Sequence, residues 1–296
     1  LPVGDISRDV FINFATLQTL GVSIYQLNDW LHKKRISSRA TVFVFGFPPG
    51  GNDYYPEPIF METPYSARIT FVFPAAGEQP YRMRFEATSN RSGWVAIKFA
   101  TLNIEGGLEI EGIGARDLGT QWAWNAECFG AGLIADGGSM FLKGGLVRVY
   151  NFYYSWMAEE VGRFESEPAA DGTNIEGHDA GDCAGLCRHS ARMKCSGAKA
   201  FNCGHEDANG IQLGGGIVNE GCGSLEALFF SATGCLVAGA INQSSSHCWM
   251  FGSDLSGNVG AGFIGRGTST SEIGVQAITP VAPKFNDNAV GIIVET

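Results

Sequence analysis

Six stretches decide how the chain is read: AGLIADGGS from Ala131, AGLCRHSAR from Ala184, NGIQLGGGI from Asn209, AGAINQSSS from Ala238, AGFIGRGTS from Ala261 and VGIIVET from Val290. Each sets a small residue and a glycine before an apolar residue, then turns polar or glycine-rich. The marker glycines Gly132, Gly185, Gly210, Gly239, Gly262 and Gly291 are spaced 53, 25, 29, 23 and 29 residues apart. The long step divides into 23 and 30 when YSWMAEE takes the same slot with Ser155 in place of glycine. Seven markers then run at a mean of 26.5 residues per step. A repeat of this length signals stacked structural units.

A second column keeps phase with the first. Asn151, Asn202, Thr233, Asn258 and Asn286 each precede a marker by four to eight residues. Between the columns lie short alternating runs such as Met140-Phe141-Leu142 and Leu146-Val147-Arg148-Val149-Tyr150. Glycine and asparagine tolerate positive φ and so suit corners. Short strands with corners at fixed phase predict a parallel β-solenoid, in which each coil buries its apolar side only by stacking on its neighbours. The Leu-x-x-Leu-x-Leu spacing of leucine-rich repeats is missing, as is the RTX nonapeptide, and propeller blades would be longer. The expected fold is all-β: a right-handed parallel β-helix of about seven or more coils.

The N-terminal third reads differently. Phe14, Leu17, Leu20, Ile24, Leu27 and Leu31 form one helical stripe. Lys33, Lys34 and Arg35 lie in its last turn, where cations suit the helix dipole. Residues 10–36 are read as an amphipathic lid over the open end of the core, within a cap region of residues 1–38. The β-helix then takes residues 39–296, with regular coils from about residue 127. Thr41–Phe45 and Ile69–Phe73 are expected strands, and Tyr54 and Tyr55, beside Pro48-Pro49-Gly50-Gly51, are expected in a turn.

Composition excludes several classes. Hydrophobic residues make up 45% of the 296, too many for a disordered chain. The 41 glycines follow no three-residue period, which excludes collagen. No run of 18 apolar residues occurs, so no membrane insertion is expected. A net charge of −10 argues against nucleic acid as a partner. Opening at Leu1 without Met or a signal-like segment, the sequence reads as a piece of a longer protein. Of the eight cysteines, all but Cys128 fall from Cys183 to Cys248, with no Cys-x2-Cys pair to suggest structural zinc. Buried free thiols are the simplest reading. Gly214-Gly215-Gly216 lies among solenoid strands and not at a strand-to-helix turn, so it cradles no phosphate. No cofactor and no metal are expected.

The opening FATLQTLGVSIYQLNDWLHKK, then TVFVFGFPPG, then EPIFMETPYSARITFVF resembles the entry to the β-helix of bacteriophage tailspikes and tail fibres, a pectate-lyase-like architecture. The rungs from Ala131 onward are similar to the degenerate glycine-containing repeats of those β-helices. The resemblance implies a homotrimer on the virion, extracellular, that contacts bacterial surface polysaccharide in host recognition and adsorption. Some members only bind the glycan and others cleave it, and fold alone does not choose between them. Autotransporter adhesins share the architecture, so a bacterial β-helix adhesin stays open as well.

Candidate chemistry follows from the side chains. Glycoside hydrolysis needs two carboxylates, about 5–5.5 Å apart for retention or about 6.5–9.5 Å for inversion. The densest acidic stretch runs from Glu159 to Asp182 and includes Glu165; Glu206 and Asp207 follow one coil later. Glu165, Asp182, Glu206 and Asp207 are therefore the candidate catalytic residues of an endoglycosidase acting on O-antigen or capsule. The same acids equally suit a solvated loop. Sugar rings stack on aromatic side chains, which makes Tyr153, Tyr154, Trp156 and Trp249 the candidate glycan contacts; core or subunit packing is the competing reading for each.

Overall fold

The computed structural model describes residues 10–13, 39–45, 53–55, 58–62, 68–73, 80–86, 93–114, 124, 129–167, 174–274 and 281–295. Among these residues every regular element is a β-strand. Three parallel sheets hold them, and a two-stranded antiparallel hairpin stands apart. The first sheet begins at Val10–Asn13, the second at Asp53–Tyr55 and the third at Ile59–Glu62. The chain visits them in rotation. Thr101–Glu105 lies in the first sheet, Leu108–Ile113 in the second and Ala131–Asp136 in the third. Ser139–Lys143 then returns to the first, in parallel register with Thr101–Glu105. The result is an all-β, solenoid-like stack.

Stacking gives each inward position a column of neighbours. Down the first sheet, Leu102, Met140, Phe164, Met193, Leu225 and Cys248 follow one another in register, all buried. Trp94, Trp156, Tyr81, Phe71, Phe85, Phe152 and Phe230 fill the remaining width of the core. Cys187, Cys195, Cys203 and Cys235 are buried free thiols in the same interior and Cys183 is buried in a separate apolar cluster, as expected of small apolar side chains, whereas Cys222 is exposed.

The turn from the second sheet to the third rests on left-handed residues. Asn151, Asp179 and Asn202 have φ of 56°, 56° and 54°, and Gly234 and Gly257 continue the column at 68° and 69°. Asn and Asp enter this region more readily than other side chains. Each N–H in the column bonds a carbonyl one turn on: Asn151 to His178, Asp179 to Phe201, Asn202 to Thr233 and Gly234 to Gly257. The expected corner residues Asn151 and Asn202 are therefore in place. At the next turns the corner falls beside Thr233, Asn258 and Asn286, on Gly234, Gly257 and Asp287. Asn258 supports it with its side chain, accepting from Cys235 N and donating to Ala232 O and Leu255 O.

The marker glycines have a different role from the one expected. Gly132, Gly239, Gly262 and Gly291 do not turn corners; they sit in third-sheet strands, without positive φ, in line with Gly93, Ser155, Ala184 and Gly216. Close approach of the second sheet keeps this column small. A Cβ on Gly132 would meet Val149 Cγ1 at 2.3 Å, and one on Gly239 would meet Leu255 Cβ at 3.2 Å. Two markers are out of line. Gly185 pairs with Trp156 and Ile217, and its lack of a side chain admits the Trp156 indole, whose Nε1 lies 2.7 Å from where a Cβ would be. Gly210 lies in the hairpin turn at φ 77°, and Gly216 takes its slot.

Thr41–Phe45 and most of Ile69–Phe73 are strands. Tyr54 and Tyr55 belong to the strand Asp53–Tyr55, paired with Met83–Phe85, instead of a turn. Val10–Asn13, read as the start of the helical lid, is a strand parallel to Val42–Phe45. The helical stripe from Phe14 to Leu31 lies outside the described residues.

The crowded glycine column yields a stability prediction. In Gly216→Ala the new Cβ would sit 2.3 Å from Gly239 O and 2.7 Å from Ala232 Cβ, an overpacking that costs on the order of 1–3 kcal/mol. Gly274→Ala, with nothing within 4 Å of the added carbon, should be nearly neutral. Urea denaturation of the two variants measures the difference.

Candidate functional site

Three successive turns bring side chains to the outside of the corner between the second and third sheets. In the first turn Asn151 bends the chain, Phe152 points into the core, and half-buried Tyr153 leads into the third-sheet strand that Tyr154, also half-buried, opens. The Tyr153 ring is the centre of an aromatic group. Its centroid lies 4.8 Å from Tyr154, 5.1 Å from Phe129, 5.6 Å from His205 and 5.8 Å from Trp124. Phe129 is about half exposed, at 48%.

One turn later Asp179 makes the bend and Ala180 points inward. Gly181 leaves room for Trp124, whose Cδ2 would lie 2.5 Å from an added Cβ. Asp182 follows, its N–H bonded to Tyr153 O at 2.9 Å. Its carboxylate accepts the Tyr154 hydroxyl. Burial pushes the Asp182 carboxyl up to about 6, with the Glu220 charge adding to the shift; the Tyr154 bond and the Arg188 charge oppose it. Burial and the Asp182 charge also push the phenols of Tyr153 and Tyr154 up. Arg188 is itself held by Glu159, with Nε and Nη2 donating to Oε2 at 2.9 and 2.6 Å.

The third turn leaves the solenoid. His205–Glu206 pairs antiparallel with Gln212–Leu213 to form the hairpin. His205 Nδ1 lies 2.7 Å from Gly181 O, so that nitrogen carries a proton and donates. This bond ties the hairpin base to the turn below it. The hairpin ends at Gly214, φ 92°, pressed against Asp182: a Cβ there would lie 1.9 Å from Asp182 O. Its flank carries exposed Ile211 and Leu213.

The structure thus gathers four of the predicted residues, Tyr153, Tyr154, Asp182 and Glu206, at one corner. Glu206 is exposed on the hairpin's first strand. Asp207 is also on the hairpin, but its Oδ1 accepts the N–H groups of Asn209 and Ile211, both at 2.8 Å. The Ile211 bond leads the effects that hold its carboxyl below the usual range, and its work is to shape the turn. Glu165 lies elsewhere, on the first sheet, where it accepts Arg163 Nε at 2.7 Å and pairs in register with Phe141 and Lys194. Trp249 is on the first sheet too, with its ring 3.9 Å from His247.

Trp156 must be corrected outright. It is wholly buried, so no sugar reaches it. Simple alternation from Tyr154 would keep it on the same side as that residue. The strand pairing skips Ser155, between Tyr154↔Ala131 and Trp156↔Leu133, and the alternation breaks there, which leaves Trp156 inside. Phe129 and His205 are members of the corner that the sequence reading did not select. The step from Ala184 to Gly216, longer than its neighbours because it contains the hairpin, is the signal that points to His205. Comparison with models of protein families, with curated proteins and with solved structures gives no match to the chain.

The raised Asp182 carboxyl has a sign that titration can read. Its folded value lies above its unfolded one, so folding takes up a proton between about pH 4 and about 6. The Asp182 contribution to stability is therefore greatest below that window and falls as pH rises through it. Asp182→Asn, which keeps an acceptor for Tyr154, should remove this part of the pH dependence. Thermal melting of both proteins from pH 4 to 8 should show the variant gaining on the parent as pH rises.

Proposed function

We propose that this chain is a receptor-binding part of a bacteriophage tail fibre or tailspike that attaches to bacterial surface polysaccharide through the corner around Tyr153. The observation that carries the reading is the group of rings around Tyr153, partly open to solvent beside the Asp182 carboxyl and under a hairpin. Aromatic rings take the apolar faces of sugars, and a few polar groups at their rim fix orientation. A site built on a rigid stack also holds its geometry without a ligand to order it.

In this reading the fold is a right-handed parallel β-helix of seven or more coils, with residues 1–38 forming its helical cap. The rotation through three parallel sheets supports it, since parallel crossovers are right-handed in about 98% of cases. The resemblance to tailspikes supplies the rest: a homotrimer, carried on the virion and working outside the cell.

One observation favours a second reading, an endoglycosidase. A carboxyl that keeps its proton toward pH 6, as Asp182 does, has the property of the general acid in glycoside hydrolysis. Its charged neighbours are Glu220 and Arg188, so Glu220 is a better partner to test than Glu165.

Binding of host lipopolysaccharide or capsule fragments by the full chain tests both. Tyr153→Ala should weaken binding about tenfold or more, since it removes the ring at the centre of the group. Failure of every candidate host glycan to bind would overturn the attachment reading. Release of reducing ends that Asp182→Asn abolishes would favour the enzyme.

A further inference from the structure

A second surface, on the other side of the same corner, has the features of a ligand site. The outward residues of the second sheet form two adjoining columns. In one, Arg82, Glu109, Arg148, Glu176 and Lys199 follow in register. In the other the order is Arg84, Glu111, Tyr150, His178 and Phe201. A cavity of about 490 Å³ opens where the columns begin, lined by Arg82, Met83, Arg84, Glu109, Glu111 and Tyr150. That is within the roughly 300–1,000 Å³ common for small-ligand sites.

The first column is a chain of ion pairs. Arg82 Nε meets Glu109 Oε2 at 2.7 Å, Arg148 Nη1 meets Glu109 Oε1 at 3.3 Å, and Arg148 Nε meets Glu176 Oε2 at 3.1 Å. In the second column Arg84 Nε meets Glu111 Oε2 at 3.1 Å. Each guanidinium has five N–H donors, and each of these bonds uses one. The same column then becomes a stack of rings. Tyr150 lies 4.7 Å from His178 at 20°, and His178 lies 4.7 Å from Phe201 at 17°. The stack ends at Tyr150, because the next residue along the column is Glu111. The cavity is at that end.

The chemistry of the lining selects the ligand. Two arginines face two glutamates, so the wall is charge-balanced and already paired. An anion approaching the arginines also meets the Glu109 and Glu111 carboxylates, and a cation approaching those carboxylates also meets Arg82 and Arg84, so neither gains net attraction from this wall. A neutral polyol needs no such attraction. Its hydroxyls accept from guanidinium and donate to carboxylate, while one apolar ring face continues the stack on Tyr150. We infer that the outer face of the second sheet is a subsite for an uncharged pyranose unit, seated between Tyr150 and the Arg82–Glu109 and Arg84–Glu111 pairs. The inference rests on the reading of the chain as a glycan binder and adds a second contact and a sugar class to it.

The test uses the full chain with two panels of oligosaccharides, four to eight units long. One panel is neutral, built of glucose, galactose, mannose or rhamnose; the other replaces one unit with a uronate. Calorimetry on the parent should find a neutral ligand that binds more tightly than its uronate counterpart. Tyr150→Ala should weaken it about tenfold or more, and Arg84→Gln several-fold. Tyr150→Leu, which keeps apolar contact with His178, serves as a second variant, and equal melting temperatures verify that all three fold. If Tyr153→Ala abolishes binding and the Tyr150 and Arg84 variants bind as the parent does, the subsite is overturned while the corner reading stands. The opposite pattern retains the subsite and removes the corner. Tighter binding of the uronate panel would overturn the sugar class.

Discussion

Parallel in-register pairing is the constraint on which everything else in this molecule depends. Each strand lies about 4.8 Å from the strand one turn before it and the strand one turn after. The residue at any position therefore meets its counterparts, and every column has to be compatible with itself. Inside, this produces continuous columns such as Leu102, Met140, Phe164 and Met193. Outside, it sets charges face to face, and the column from Arg82 to Lys199 alternates sign at every step. Where two sheets approach, it demands a column of small residues from Gly93 to Gly291.

The same constraint lets buried polar side chains bond from one turn to the next, although Asn219 Oδ1 is left without a partner among the described residues. Asn219 Nδ2 donates to Asn242 Oδ1 at 2.8 Å in the third sheet, and Asn242 Nδ2 donates onward to Thr270 O at 2.9 Å and Ser271 Oγ at 2.7 Å. Both asparagines are wholly buried, where an unpaired amide would cost on the order of 1–3 kcal/mol. On the second sheet Glu176 is bonded to His178 and Arg148, which hold its carboxyl down at about 2 despite burial. A carboxylate so held contributes stability above its ordinary titration range and loses it as pH falls toward 2.

Insertions escape the constraint, and that is where the surface becomes specific. The hairpin between Phe201 and Gly215 leaves the stack and returns to it with register intact, since Cys183 still pairs with Gly215. Its return at Gly214 presses on the Asp182 backbone, next to the carboxyl that burial raises. Rigid columns below and an added loop above give the corner fixed rings and one shielded acid. That combination is what a binding or hydrolytic site on a solenoid needs.

Much of this was legible in the residues. Glycine-centred phrases at 23 to 30 residues announced stacked coils, and Asn151 and Asn202 marked corners because few side chains tolerate positive φ. Local reading failed where neighbours along the chain do not decide orientation. Trp156 turned inward at a break in alternation that only the pairing reveals, and Gly210 imitated a rung while lying in a hairpin turn. The second-sheet surface gave no local sign at all, because Arg82, Glu109 and Tyr150 are far apart in sequence and meet only through register. The amino-acid order by itself determined that the chain is β-structured and repeats, since periodicity and corner chemistry are properties of short segments. Which side chains share a column, which acid is shielded and which rings stack were decided by the tertiary structure, because each depends on the exact offset between strands a full turn apart.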